Sequence, residues 1–125
     1  MSASVDDRLR AHLERAEISV RRHNERAAAY LALCRQVGAH PGERFTLGQV
    51  RERPHAPRGL EPEAWRAAAL RAVAAGILGY AGTDPAVPAD LPTYERQVWR
   101  AATLGDPGYN VAVKIAQSAA EQLPP

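Results

Sequence analysis

The sequence has one cysteine, one methionine, one phenylalanine and one lysine in 125 residues. A lone cysteine, Cys34, excludes an internal disulfide framework and any zinc cluster built on cysteines. No apolar run approaches the ~20 residues of a membrane-spanning helix. The first residues, MSASVDDRLR, lack the apolar segment of a secretion signal, so a cytoplasmic protein without a membrane partner is expected. Charge of one sign is missing too. Sixteen Lys and Arg face fourteen Asp and Glu, a net +2 that gives only a weak electrostatic pull toward nucleic acid.

Catalytic patterns are also lacking. His12 and His23 would lie ~16 Å apart on one helix, too far to share a metal ion. His40 and His55 fall in loops without a carboxylate or cysteine partner in sequence. There is no glycine loop to cradle phosphate and no nucleophile spaced with a base. The expectation is a protein without enzymatic activity, cofactor or metal.

What the sequence has is alanine, 25 residues of it, and arginine, which supplies every cation except Lys114. The larger apolar side chains suffice for one modest core. Prolines at 41, 54, 57, 62, 85, 88, 92 and 107 mark where helices cannot run. Ser4 and Asp7 have the spacing of a capping box, which predicts a helix of about 30 residues up to Val37, stopped by Gly38, with His23-Asn24 as its weak point. Glu43 to Thr46 reads as a short strand. Thr46 then caps a brief helix ending near Arg53. A further helix spans roughly 62 to 75 and closes at Gly76. ILGYA and TYERQVWRA read as two strands around the loop TDPAVPADLP, and Asp106-Pro107 opens a last helix to about Leu123.

That order predicts a mainly α-helical protein with a small β-hairpin, a winged helix-turn-helix carrying long N-terminal and C-terminal helices. Three parts are expected: a helical extension over 1–26, a winged-helix domain over 27–101, and a C-terminal helix over 102–125. Phe45-Thr46, Pro54-His55, Ala64-Trp65, Gly76-Ile77-Leu78, Gly79-Tyr80 and Val98-Trp99-Arg100 carry a resemblance to small winged-helix proteins of bacteriophages and prophages from GC-rich bacteria. The resemblance spans a little under half the chain. It implies a winged-helix fold and binding of double-stranded DNA, as a regulator or a phage-type accessory protein.

The expected recognition helix reads EPEAWRAAALRAVAAGI. Projected at 100° per residue, Trp65, Ala69, Leu70, Ala72, Val73 and Ile77 form a buried stripe. The opposite side holds Glu63, Ala64, Ala67, Ala68, Arg71, Ala74 and Ala75, which offers base edges little to bond. Arg66 projects near the buried stripe. The candidate DNA contacts, chiefly to phosphate, are Arg51, Arg53, Arg58, Arg66, Arg71, Arg96 and Arg100. The alanine-rich face and the acidic loop also fit a second reading, a protein-interaction module on a winged-helix scaffold.

In the first helix Leu9, Leu13, Ala16, Val20, His23, Ala27, Tyr30, Cys34 and Val37 recur in steps of four and three, a heptad seam. One small domain needs only its second half. The first half would bury its seam in a homodimer or against the C-terminal helix, through Ile115, Ala119 and Leu123. A dimer would present two DNA-binding units.

Overall fold

The computed structural model describes residues 4–88 and 90–121, with the side chains of residues 93 and 94 left aside. It is mainly helical with a small three-stranded antiparallel sheet. Helix α1 covers Val5–Ala39, strand β1 Arg44–Phe45, helix α2 Leu47–Arg51 and helix α3 Pro62–Ala74. Strand β2 (Leu78–Thr83), a single turn α4 (Thr93–Arg96), strand β3 (Gln97–Ala101) and helix α5 (Pro107–Glu121) follow.

Helix α1 starts as its sequence predicts, with the Ser4 hydroxyl accepting the Asp7 backbone N–H at 3.1 Å. It passes through His23-Asn24 and the expected boundary at residue 26 without a break. It also passes Gly38. The helix ends only at Ala39, and a β-carbon at Gly38 would make an ordinary van der Waals contact with Val113 of α5 at 3.7 Å. The chain then leaves through Pro41 and Gly42, the latter at φ +76°.

The Thr46 expectation holds in full. Its hydroxyl accepts from Gln49 N–H while the Gln49 side chain accepts from Thr46 N–H, a reciprocal capping box for a helix of one and a half turns. Helix α3 closes with two bonds, Gly76 N–H to Val73 and Ile77 N–H to Ala72. This is the Schellman arrangement, with Gly76 at φ +75°.

The sheet order is β1-β3-β2. Phe45, Trp99 and Tyr80 share one row across it, and Arg44, Arg100 and Gly79 the next. The ladder between β2 and β3 is irregular from Tyr80 to Thr83, where Gly82 takes φ +100°. The strand expected over TYERQVWRA needs correction, because its first four residues form α4 and extended backbone begins only at Gln97. Pro92 explains the change: its fixed φ suits the start of a helical turn, and its carbonyl accepts Glu95 N–H at 2.9 Å. Arg96 therefore lies in α4 rather than in the expected strand.

The core joins the second half of α1, from Ala29 to Val37, with Phe45, Leu47, Val50, Trp65, Ile77, Leu78, Trp99 and Ala112. Cys34 lies wholly inside it, and burial pushes the thiol up to about 11, with Arg71 pulling weakly the other way. At pH 8 Cys34 is expected to react with a thiol reagent at least 100-fold more slowly in the folded chain than in denaturant. Equal rates would place it at the surface.

The stripe predicted for α3 is rotated by about a quarter turn. Ala64 and Ala68, expected outside, are buried together with Trp65, Ala69 and Ala72, whereas Leu70 is 45% exposed. Glu63 bonds Arg26 and Arg71 lies over Tyr30, so the alanine-bearing side of α3 faces α1. Small side chains there let the two helix axes approach.

Candidate nucleic-acid interface

Five of the seven candidate arginines already hold parts of the fold together. Arg51 pairs with Glu95 and also donates from Nε to the Leu47 carbonyl at 3.4 Å, tying α2 to the turn before β3. Arg53 donates from Nε to Oε1 of Gln36 at 3.2 Å, supplying that buried amide oxygen of α1 with a donor. Arg58 reaches the Arg51 carbonyl at 3.0 Å and closes the loop between α2 and α3. Arg96 caps the Leu91 carbonyl at 3.1 Å.

Arg71 stays exposed but lies against α1. Its guanidinium sits 4.4 Å from the centre of the Tyr30 ring, in a groove bounded by Ala27, Lys114, Ile115 and Ala119. Burial raises the Tyr30 hydroxyl and the neighbouring Cys34 adds to that, with Arg71 opposing both.

Two candidates, Arg66 and Arg100, are turned to solvent with no hydrogen bond, ion pair or ring contact among the described residues. Arg66 is exposed on α3, correcting the expectation that it projects near the buried stripe. Its neighbours on that outer face are Glu63, Ala67, Leu70 and Ala74. Arg100 is exposed on β3, directly opposite the equally exposed Arg44 of β1, and beside Gly79 of β2. Like charges placed opposite each other across strands repel. The row Arg44–Arg100–Gly79 therefore carries two adjacent cations next to a position with no side chain, an arrangement that an anion would relieve. Sequence reasoning missed Arg44, since the pairing of a two-residue strand with a partner 56 residues later leaves no local signal.

The loop between β2 and β3 supplies no such cation. Asp84 folds back on it, accepting Ala86 N–H at 2.9 Å, and its own N–H binds the Arg96 carbonyl at 2.9 Å.

The residues expected to form an intermolecular seam divide into two sets. Leu9, Leu13, Ala16 and Val20 are all exposed on the first half of α1. Ile115 packs against the chain's own core, and Ala119 lines the α1–α5 groove with Ala27, as the alternative of packing within one chain expects. Leu123 lies outside the described residues.

Among the described residues no three His, Cys, Asp or Glu side chains gather as a metal site would require. No described helix is long and apolar enough to cross a membrane. Compared with protein-family models, curated proteins and solved structures, the chain matches none of them.

Proposed function

We propose that the protein is a winged-helix protein that binds double-stranded DNA, mainly through backbone phosphate, and acts in the cytoplasm as a regulator or accessory factor. The observation that carries this reading is topological. A strand between α1 and α2 lies beside β3, and α3 leads directly into the β2–β3 hairpin, giving the order β1-β3-β2. In a winged helix-turn-helix the corresponding helix enters a groove and the hairpin flanks it. The resemblance of Phe45 to Arg100 to phage winged-helix proteins points the same way.

The chemistry of the exposed side chains limits what such binding can read. Base edges are read by Arg, Lys, Asn or Gln, and the outer face of α3 offers only Arg66 among Ala67, Leu70 and Ala74. Arg66, Arg100 and Arg44 suit phosphate, which positions a protein without specifying sequence. Arg51, Arg53, Arg58 and Arg96 support this surface by fixing the turn before α3 and the base of the hairpin.

The test is fluorescence anisotropy with random duplex DNA at several salt concentrations. Three phosphate contacts per subunit predict a slope near −2.7 in log affinity against log salt, roughly a 40-fold loss between 50 and 200 mM. Replacing Arg66 and Arg100 together by alanine is expected to reduce the slope by about 2. Absence of binding at 50 mM salt overturns the reading.

A second reading, a protein-docking face, has its own observation. Leu70, 45% exposed, lies at the centre of the outer face of α3, among Ala67, Val73 and Ala74. The substitution Leu70→Arg separates the two. It strengthens DNA binding if this face meets a phosphate backbone, and leaves DNA binding undetected in both proteins if the face serves a protein partner.

A further inference from the structure

Helix α1 is ~52 Å long, and only its second half is packed. Leu9, Leu13 and Val20 are each more than half exposed, and Val5 is 78% exposed. Helix α5 runs antiparallel beside α1, with Val113 near Gly38 and Ala119 near Ala27. Its described end, Glu121, lies only ~3 Å of helix rise beyond Ala119. The seam from Asp6 to His23 therefore has no cover from the described part of its own chain. It continues into a groove where Leu13, Ala16 and Val20 lead to Ala28 and to Leu60 from the loop before α3.

We propose that this seam is covered by the same helix of a second copy, running antiparallel, with the two-fold axis between Glu14 and Arg15. The choice of occupant and direction comes from side-chain complementarity. Seam residues are Asp6, Leu9, Leu13, Ala16, Val20 and His23. In a parallel, in-register pair each meets its own copy, so Asp6 faces the partner's Asp6, Ala16 the partner's Ala16 and His23 the partner's His23. That places like charges together and leaves a layer with too little volume.

The antiparallel register removes each fault. Leu13 meets the partner's Ala16, Leu9 meets the partner's Val20, and Asp6 meets the partner's His23. Large residues face small ones, and at each end of the seam the Asp6 carboxylate meets an imidazole rather than another carboxylate. Flanking positions agree. Arg10 and Glu17 occupy equivalent edge positions one heptad apart, and antiparallel packing sets Arg10 against the partner's Glu17 twice, by symmetry. Parallel packing instead sets Arg10 against the partner's Val5 and Glu17 against the partner's His12. The antiparallel register also delivers the partner's Val5 to the Asn24 level of the groove, toward Ala28 and Leu60.

This pairing is independent of whether the protein binds DNA. It sets the packed bodies at opposite ends of a rod, with Ala29 and the partner's Ala29 separated by 29 helical residues, ~44 Å along the axis.

Sedimentation equilibrium of the full chain at tens of micromolar is expected to give twice the 13.5 kDa subunit mass. Arg10→Glu alone, and Glu17→Arg alone, are each expected to weaken the dimer at least tenfold, because both put like charges at the two edges. An equimolar mixture of the two variants is expected to restore the dimer, since every edge then pairs Glu with Arg. Each swap also alters pairs within its own helix, but mixing cannot repair those, so rescue reports only the interchain contact. A monomeric wild type, single swaps without effect, or a mixture no tighter than its components would each overturn the proposal.

Discussion

Replacing Gly108 by alanine is expected to cost about 3 kcal/mol or more and to lower the thermal midpoint by roughly 10 °C. Gly108 lies in the first turn of α5, fully packed against the end of α3. A β-carbon built there would overlap the carbonyl of Gly76 and press on the amide of Ile77, which is 3.0 Å away. Overpacking against a side chain can relax through a rotamer, but here the obstacle is backbone. That backbone is itself fixed by the two bonds closing α3, so the relief available is to move α5 as a body. Moving it would open the contacts of Ala112 with the core and of Val113 with Gly38. Gly76 provides the comparison. A β-carbon there meets nothing within 4 Å, yet its φ of +75° strains any other residue, so Gly76→Ala is expected to cost only about 1–2 kcal/mol. Thermal melts of both variants check the pair. Equal, small shifts would mean that α5 does not approach α3 this closely.

How much of this was legible in the sequence depended on whether the signal was local. Caps were legible: Ser4, Thr46 and Gly76 each act within five residues of their partners, although the reciprocal bond from Gln49 was not read. The α-rich class and the position of the sheet followed from prolines and caps together. The rotation of α3 was not legible, because projection favours large apolar residues and so placed Leu70 inside. What decides the matter is that α1 lies against α3, where closely approaching axes select alanine and exclude leucine. Four alanines of the run, Ala64, Ala68, Ala69 and Ala72, mark a packing face, while Ala67 and Ala74 stay on the outer one. The same non-local cause governs the arginines. Arg51 finds Glu95 across 44 positions and Arg53 finds Gln36 across 17, so a basic cluster in sequence becomes a set of internal ties. Conversely, Arg44 gains its interest only from lying opposite Arg100. The exposed half of the α1 seam was visible from its spacing alone, since four-three periodicity is local. Its continuation in Ile115 and Ala119 belonged to the intrachain packing of α5.

Trp65→Ala is expected to remove about 3–5 kcal/mol, the largest loss from any single truncation in the core. Trp65 is 1% exposed, the largest of the fully buried side chains, and it stands on the same side of α3 as Ala69 and Ala72. Those neighbours are too small to move into the space, and α1 is held by its own packing, so the cavity would persist rather than collapse. Against a typical total of about 5–15 kcal/mol, such a loss is a large fraction of the stability and at the low end leaves the chain close to half unfolded. The other buried tryptophan should behave differently. Trp99 is 3% exposed, but its Nε1–H is buried without an acceptor among the described residues. Its ring packs near Tyr80, with centroids 5.2 Å apart and planes at 36°, and phenylalanine keeps that aromatic pair. In Trp99→Phe the lost ring volume is offset by removal of a donor that folding leaves unbonded, so the net change is expected to stay within about 1 kcal/mol. Urea unfolding of the two variants measures the contrast directly. A Trp65→Ala protein that lost no more stability than Trp99→Phe would show that α3 is not anchored through Trp65.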